Sequence, residues 1–532
     1  MKLFSNKLRP VHFGPYPLER LESTAMVLDL PTERKPRTVP KRSEHPLRFS
    51  DVADAYIDLL DQWQDGTVAP EKAPISEDAL DLTQQMKAAS YFMDAAMVGA
   101  CEIPEVAWFT ETESGETVTP YHHNGLVIVV EHVREPELDN LASEWLRDAQ
   151  SERAAVRAAE IAVTIAGYIR HLGWHAKSHS ADKSDLDHEL LTVCSGLVRW
   201  QNGMVVNPFL GSRFGTAVVS CDMPVQPDLP LVETPTKPER DWRFQWGMDG
   251  AVSERERERH RRRPSHLSKY PMETIRKVPH PTTLVLEDEV PRVPKRAAFF
   301  ERARKGDLGA KTQVERNRFA IKHPFTMGMV PMIRGLVPHQ DGAVATKKAP
   351  NTDDSSENTK AIKSLSYFLN VDLVGICEAK RFAWFSHDDD GKPIKIRHRH
   401  AIVVLIDQGY ETMEGASGDD WISGAQSMRS YLRGATIGGQ MAEFIRRLGY
   451  SARVHSNLDS EVLHIPLILY AGLGELSRIG ELVLNPFVGP RFKSVVVTTD
   501  ISLTHDQPID FGLQDICAKS ASSARGSARV MR

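Results

Sequence analysis

The apolar run Ala401-Ile402-Val403-Val404-Leu405-Ile406 has a counterpart 276 residues earlier, Gly125-Leu126-Val127-Ile128-Val129-Val130. A continuous apolar stretch of this length is typical of a strand that is buried on both faces of a sheet. The sequence therefore predicts the same buried strand twice in one chain.

Further segments recur at the same spacing of 276 to 278 residues. They include Ser90-Tyr91-Phe92 with Ser366-Tyr367-Phe368, Cys101-Glu102 with Cys377-Glu378, and Asn207-Pro208-Phe209 with Asn485-Pro486-Phe487. Side chains that the scaffold needs should persist in both copies, whereas side chains that a reaction needs can persist in one. The repeat therefore provides an internal comparison. Because the cysteines of Cys101-Glu102 and Cys377-Glu378 recur together, we expect them to be small buried residues rather than reactive thiols.

Each copy alternates between strand and helix patterns. Apolar residues between Met428 and Leu448 have helical spacing, and Gly449 is a helix-ending signal. Val495-Val496-Val497 and Val218-Val219 are short strand patterns. These patterns predict an α/β or α+β layer structure for each copy. The predicted segments are an irregular N-terminal arm (1–85), a first copy (86–235), a linker or wrapping segment (236–360), a second copy (361–516) and a C-terminal remnant (517–532).

Composition limits the class of protein. The chain has 532 residues, 41% of them apolar, and a net charge of −5, which gives no general attraction to nucleic acid or to anionic membranes. No apolar run is long enough to span a bilayer, and neither a signal core nor a twin-arginine leader is visible. We therefore expect a cytoplasmic protein without a nucleic-acid or membrane partner. The charged run 254–263 alternates in sign over its first half, which favours a solvated helix or linker over a nucleic-acid site.

The glycine-rich segment Ala471–Gly480 is a candidate ligand face, since glycines let a ligand approach the backbone closely. Its members proposed for cofactor binding are Gly472, Gly474, Arg478 and Gly480. We pair Gly472 with Cys194, Arg478 with Trp200 and Gly480 with Asn202, while Gly196 persists in the first copy. This pairing predicts that the first copy has lost the open surface.

The second copy, from about Ser364 to Cys517, resembles the corrinoid-binding core of reductive dehalogenases, which is related to that of epoxyqueuosine reductase. The segments that carry the resemblance are Phe444–Tyr450, Ala471–Glu475, Gly489-Pro490-Arg491, Thr499-Asp500 and Pro508–Asp515. The resemblance implies an α+β fold, with a duplicated nitroreductase-like corrinoid-binding domain whose first copy is degenerate. It also implies the soluble catabolic branch of the family, which acts on halogenated aromatic compounds.

The resemblance places the family's proton donor on Tyr431, its basic residue on Lys493 and a polar pocket residue on Asn457. A neutral phenol can protonate carbon after halide loss, and a neighbouring ammonium stabilises the anion left behind. The corresponding residues of the first copy are Ala155, Gly215 and Ala181. Because all three functional groups are missing there, we expect catalysis in the second copy. Tyr410 is a rival donor, at a predicted strand exit.

The resemblance also implies base-off cobalamin, [4Fe-4S] clusters and an electron donor such as a ferredoxin or a reductase. The family's cluster segment would begin at Cys517, but serines stand at the next cysteine positions, and one thiolate cannot hold a cluster. We therefore expect a truncated chain that is inactive as given. The alternatives are a non-catalytic corrinoid-binding or assembly protein and an epoxyqueuosine-type corrinoid reductase.

Overall fold

The computed structural model describes residues 8–25, 30–38, 45, 47–316, 318, 322–416 and 421–516. The helices are α1 (Ser50–Leu60), α2 (Ala79–Phe92), α3 (Ala142–Trp145), α4 (Gln150–His171), α5 (His188–Cys194), α6 (Trp242–Trp246), α7 (Glu254–Arg261), α8 (Phe299–Arg304), α9 (Ala310–Glu315), α10 (Pro324–Gly335), α11 (Ser355–Phe368), α12 (Tyr410–Glu414), α13 (Trp421–Arg447) and α14 (His464–Tyr470).

Fourteen strands accompany these helices within the described ranges. They are β1 (Met97–Glu102), β2 (Asn124–Glu131), β3 (Ala176–His179), β4 (Arg199–Gln201), β5 (Met204–Val206), β6 (Phe214–Cys221), β7 (Arg276–Lys277), β8 (Leu373–Glu378), β9 (His400–Asp407), β10 (Ala452–His455), β11 (Glu475–Leu476), β12 (Val483–Leu484), β13 (Phe492–Thr499) and β14 (Ile509–Asp510). The predicted strands at 125–130, 401–406 and 495–497 and the helix ending before Gly449 are confirmed. The α+β class is confirmed as well.

The chain forms two compact units that are discontinuous in sequence. The first comprises Met1–Arg134, Leu146–Arg263 and His323–Met332, and the second comprises Glu135–Trp145, Pro264–Lys322 and Ile333–Arg532. The first unit has a four-stranded sheet in the order β1-β2-β6-β3, and the second has the order β8-β9-β13-β10. Every pairing in both sheets is antiparallel. The strand order is thus the same in the two copies.

Each sheet is covered by apolar side chains on both faces, which explains the continuous apolar strands. Trp108 in the first unit and Trp384 in the second are almost fully buried at matching places in their cores. The helix preceding each sheet is capped by an aspartate side chain, Asp78 for α2 and Asp354 for α11. The repeat therefore extends to the local signals that start the helices.

The segment before residue 86 is more ordered than the irregular arm that was predicted. Helix α1 packs on α4 of the first unit, and its buried side chains include Val52, Tyr56, Ile57 and Leu60. Their spacing is helical, and this is the signal that sequence analysis overlooked. The charged run 254–261 forms α7, as predicted.

Candidate active site

Tyr431 of α13 and Lys493 of β13 lie next to each other in the second unit. The Lys493 Nζ atom is 5.3 Å from the centre of the Tyr431 ring. An ammonium at this distance is attracted to the ring face. The structure therefore brings together two residues that are 62 positions apart in sequence, and both remain partly exposed.

Small residues on α13 allow this contact. Gly434 and Gly438 lie on the same helix face as Tyr431, three and seven positions later. A Cβ atom added at Gly438 would be 3.0 Å from the side chain of Val495, and one at Gly434 would be 3.5 Å from it. Since Lys493 and Val495 point to the same face of β13, close helix packing also places Tyr431 over Lys493.

His464 supports the strand from the opposite face and was missed by sequence analysis. Its Nδ1 atom is 2.9 Å from the Ser494 hydroxyl, and its Nε2 atom is 3.4 Å from that of Ser460. Burial lowers the pKa of His464 to about 4, so the ring is neutral near pH 7. His188 makes the same two kinds of contact in the first copy, which indicates a scaffold role. The shared spacing of 276 residues was the available signal.

Asn457 lies at the same end of the sheet as Lys493. It is exposed and follows β10 by two residues. The antiparallel register pairs His455 with Val496, so the chain leaving β10 runs toward the beginning of β13. Tyr431 and Lys493 are thus in contact, and Asn457 borders the edge at which they meet.

The rival donor Tyr410 has a different neighbour. It begins α12, is 55% exposed, and its ring centre is 5.2 Å from the guanidinium of Arg491. Arg491 in turn is 3.8 Å from a carboxylate oxygen of Asp407. This cation is already shared with a carboxylate, which makes Tyr410 the weaker candidate.

The pairing of Gly472 with Cys194 was wrong. Gly472 has φ +68, and a Cβ atom there would be 2.2 Å from the Gln507 carbonyl oxygen. Gly196 has φ +69, and its Cβ atom would be 2.3 Å from the Leu229 carbonyl oxygen. The true partner of Gly472 is therefore Gly196, while Cys194 ends α5 as Tyr470 ends α14. This glycine belongs to the shared scaffold.

The neighbouring hairpin differs between the copies. Glu475 pairs with Leu484, whereas Arg199 pairs with Val206, so the hairpin of the second copy is longer by two residues. Arg478 and Gly480 lie exposed in this longer loop, and a Cβ atom at Gly480 would have nothing within 4 Å. Gly474 instead lies against protein backbone, since its Cβ atom would be 2.5 Å from the Leu484 carbonyl oxygen.

The same loop contains a buried polar atom without a partner. Within the described part of the chain, the Ser477 hydroxyl makes no hydrogen bond. Such an atom is costly unless a water or a ligand satisfies it. The exposed Gly480 and the unsatisfied Ser477 together fit a cofactor that carries many amide groups, as cobalamin does.

The first copy shows what replaced the candidate pair. Gly215 pairs with Val130 at the strand position where Lys493 pairs with Ile406. A Cβ atom at Gly215 would be 2.9 Å from that of Ala154 and 3.0 Å from the backbone nitrogen of Ala155. The strand registers therefore support the pairing of Gly215 with Lys493, and α4 sits too close to admit a side chain there.

The described cysteines do not form a metal site. Cys101 and Cys377 are each 2% exposed, and burial raises the pKa of both thiols, in line with the expected structural role. Cys517 lies outside the described residues. Among the residues that are described, no group of three His, Cys, Asp or Glu side chains could hold a metal ion. The described residues therefore do not fit an iron–sulfur cluster.

The geometry agrees with a solved relative over nearly the whole chain. The structure of the catabolic reductive dehalogenase NpRdhA is 44% identical, covers 97% of this chain with a TM-score of 0.90, and 74% of that protein is matched. The chain belongs to the reductive dehalogenase family. Another structure of this dehalogenase, with the same identity and TM-score, is a complex with 3-bromo-4-hydroxybenzoic acid, and here the match covers 73% of the relative.

Two other reductive dehalogenases match over shorter stretches. The tetrachloroethene reductive dehalogenase of Dehalobacter restrictus is 34% identical over 119 residues, which are 22% of this chain and 21% of the relative. That of Sulfurospirillum multivorans is 26% identical over 211 residues, 34% of this chain and 41% of the relative. The chain thus spans less than half the length of these two reductive dehalogenases.

No family model matches it. Within the described residues, no helix is long and apolar enough to cross a membrane.

Proposed function

We propose that this reductive dehalogenase replaces carbon-bound halogen by hydrogen on halogenated aromatic compounds, using cobalamin. The observation that supports this most directly is the contact between Tyr431 and Lys493. The first copy keeps the surrounding sheet but has Ala155 and Gly215 at these positions. A scaffold role for the pair would not explain its joint absence from a scaffold that otherwise persists.

In the proposed reaction, the Tyr431 hydroxyl donates its proton to the ring carbon from which halide has departed. Two electrons and one proton are consumed, and one halide ion leaves. When bound, cobalamin would supply the reducing centre. The Lys493 ammonium stabilises the tyrosinate that remains after proton transfer and attracts a phenolate or carboxylate substrate. Asn457 offers both a donor and an acceptor at the edge of the pocket.

For the cofactor, we propose that the longer loop of the second copy makes the main contacts. Arg478 and Gly480 are exposed there, and the Ser477 hydroxyl can bind an amide. Gly472 and Gly474 fix the backbone beneath this loop, because protein carbonyl groups occupy the space beside them.

The equal strand orders support a duplicated nitroreductase-like domain whose second copy, 361–516, is catalytic. A ferredoxin or a reductase would deliver electrons.

The test combines the full chain, cobalamin, titanium(III) citrate as reductant and 3-bromo-4-hydroxybenzoate. This substrate is chosen because a solved relative is in complex with the corresponding acid. Because this reductant can reduce cobalamin directly, turnover in this test does not depend on iron–sulfur clusters, and we expect release of bromide and formation of 4-hydroxybenzoate in equal amounts. Equal turnover by free cobalamin and by cobalamin with the protein would contradict the proposal.

A second candidate is a non-catalytic corrinoid-binding protein. It is favoured by one observation, that the described cysteines do not come together as cluster ligands. Cobalamin binding without bromide release, under a reductant that reduces the bound cofactor, would support this candidate.

A further inference from the structure

Glu475 of β11 is a buried carboxylate at the base of the longer hairpin loop of the second copy, and the residue is 1% exposed. Its Oε2 atom accepts hydrogen bonds from the backbone nitrogens of Phe511 and Leu513, at 2.8 Å and 3.4 Å. Its Oε1 atom accepts one from the Thr282 hydroxyl at 2.7 Å. A buried carboxylate is costly unless donors surround it, and these donors also hold it in one orientation.

The donors belong to two segments that are far apart in sequence and run side by side. Strand β7 pairs with β14, and the Val278 nitrogen donates a hydrogen bond to the Pro508 carbonyl oxygen at 2.9 Å. Thr282 lies shortly after β7, and Phe511 directly follows β14. The Glu475 carboxylate therefore ties the hairpin to both segments at once.

The hairpin has a second link to the segment that follows β14. The Gln514 Nε2 atom donates a hydrogen bond to the Leu476 carbonyl oxygen at 2.7 Å. The next residue is Ser477, whose hydroxyl is buried and makes no hydrogen bond within the residues that the structure describes. Because both links act within two residues of Ser477, they fix the position of its hydroxyl.

The first copy pairs the corresponding segments but anchors its hairpin differently. There the Thr24 nitrogen donates a hydrogen bond to the Pro230 carbonyl oxygen at 2.9 Å. Arg199 occupies the hairpin position of Glu475, and its guanidinium is paired with the Glu239 carboxylate. The buried carboxylate thus accompanies the longer loop, whereas the shorter loop has an arginine at this position.

We propose that Glu475 is a positioning residue for the cobalamin-binding loop, a role that rests on the cobalamin dependence proposed above. Its carboxylate holds the base of the loop against segments 276–282 and 508–513. The Ser477 hydroxyl and the backbone around Gly480 are therefore ordered before the cofactor binds. This order reduces the conformational entropy that binding would otherwise cost.

The first test needs no cofactor. Arg478 is exposed in the loop, so trypsin can cleave after it when the loop opens. Glu475→Gln keeps the side-chain size, but its amide nitrogen cannot accept hydrogen bonds. We expect cleavage after Arg478, located by mass spectrometry, to be at least about tenfold faster in this variant than in the wild type. Glu239→Gln removes the corresponding anchor of the first copy and should leave that rate unchanged.

The second test is cobalamin binding, followed by the absorption spectrum at a temperature where every variant is folded. Glu475→Gln should bind cobalamin at least about tenfold more weakly, whereas Glu239→Gln should bind it as the wild type does. Thr282→Val guards against misfolding of the first variant, because it keeps the side-chain shape and removes one donor from the carboxylate. It should also weaken binding. At saturating cobalamin, the rate of bromide release by both weakened variants should recover.

Three outcomes distinguish a failure of this positioning role from a failure of the proposed function. Absence of cobalamin binding by the wild type would contradict both. Binding by the wild type, with unchanged affinity in Glu475→Gln and Thr282→Val, would overturn the positioning role alone. An equal loss of affinity in Glu239→Gln and Glu475→Gln would also overturn it, because that result would indicate a general loss of stability.

Discussion

Lys493 Nζ lies 5.3 Å from the centre of the Tyr431 ring, whereas the corresponding Gly215 faces the backbone of α4. The two copies thus share a strand register. Only the second copy has functional side chains, Tyr431 and Lys493, between the helix and the strand. A glycine at the strand position lets the helix approach in the first copy, and glycines at Gly434 and Gly438 let it approach in the second. The glycine that allows close packing thus lies on the strand in the first copy, whereas the glycines lie on the helix in the second copy.

Tyr431→Phe should abolish dehalogenation while leaving the cofactor in place. The phenylalanine ring keeps the contact with Lys493 but has no proton to donate, so we expect bromide release to fall by at least about 100-fold. Cobalamin binding, followed by its absorption spectrum, should be unchanged. Tyr410→Phe is the matched control, since Tyr410 is exposed beside Arg491. Equal rates in Tyr431→Phe and wild type would remove Tyr431 from the mechanism.

Lys493→Met should affect charged substrates more than neutral ones. Methionine keeps the apolar part of the side chain and removes the ammonium that would attract a phenolate or carboxylate. We expect kcat/KM for 3-bromo-4-hydroxybenzoate to fall by at least about tenfold. The loss for a neutral bromoarene such as bromobenzene should be smaller. An equal loss for both substrates would assign Lys493 to proton transfer alone. No loss for either would exclude it from the site.

Much of the scaffold could be predicted because the signals are local. The apolar run at 401–406 and the helical spacing that ends at Gly449 depend on neighbouring residues, and both elements are present. The meeting of Tyr431 and Lys493 followed from comparing the two copies and from the family resemblance. Helix α1 was missed because proline and charge around it obscured a short helical pattern at Val52, Tyr56 and Leu60.

The glycines could not be interpreted correctly from sequence. What requires glycine at 472 is the carbonyl oxygen of Gln507, which is 35 residues away in sequence. The two-residue difference in the β11–β12 hairpin also shifted the pairing of the two copies, so that Cys194 was set against Gly472. The role of Gly472 depends on a tertiary contact, and the pairing of the two copies depends on loop length. Neither can be deduced from a local sequence pattern.

Gly472→Ala and Gly480→Ala should separate scaffold from cofactor contact. Both glycines have positive φ, but an added Cβ atom meets backbone at Gly472 and open space at Gly480. We expect Gly472→Ala to lower the free energy of unfolding by more than about 2 kcal/mol, and Gly480→Ala by about 1 kcal/mol. Urea unfolding of the two variants measures both. Similar losses would contradict the packing role of Gly472.

Gly480→Ala serves a second purpose in the same experiment. If the longer loop holds cobalamin, this variant should bind the cofactor more weakly at temperatures where it remains folded. Unchanged affinity would remove Gly480 from the cofactor site and leave Arg478 and Ser477 to be tested in the same way.

His398 should make the protein sensitive to acid. Its Nδ1 atom is 2.7 Å from the Thr498 hydroxyl and its Nε2 atom is 2.8 Å from that of Ser451, and the residue is 3% exposed. Burial lowers its pKa to about 4, whereas an unfolded histidine titrates near about 6.5. Between these values the unfolded state binds more protons, so stability is complete above about pH 6.5 and decreases as the pH falls toward 4.

The contribution of this one histidine to the free energy of unfolding should fall by about 2 kcal/mol between pH 7.5 and pH 5. His398→Gln keeps hydrogen-bonding groups and cannot be protonated, so its unfolding free energy should change less over that interval than that of wild type. His387→Gln, at an exposed position, should retain the wild-type pH dependence. Urea unfolding at the two pH values provides the comparison, and an identical pH dependence in all three proteins would show that His398 does not contribute.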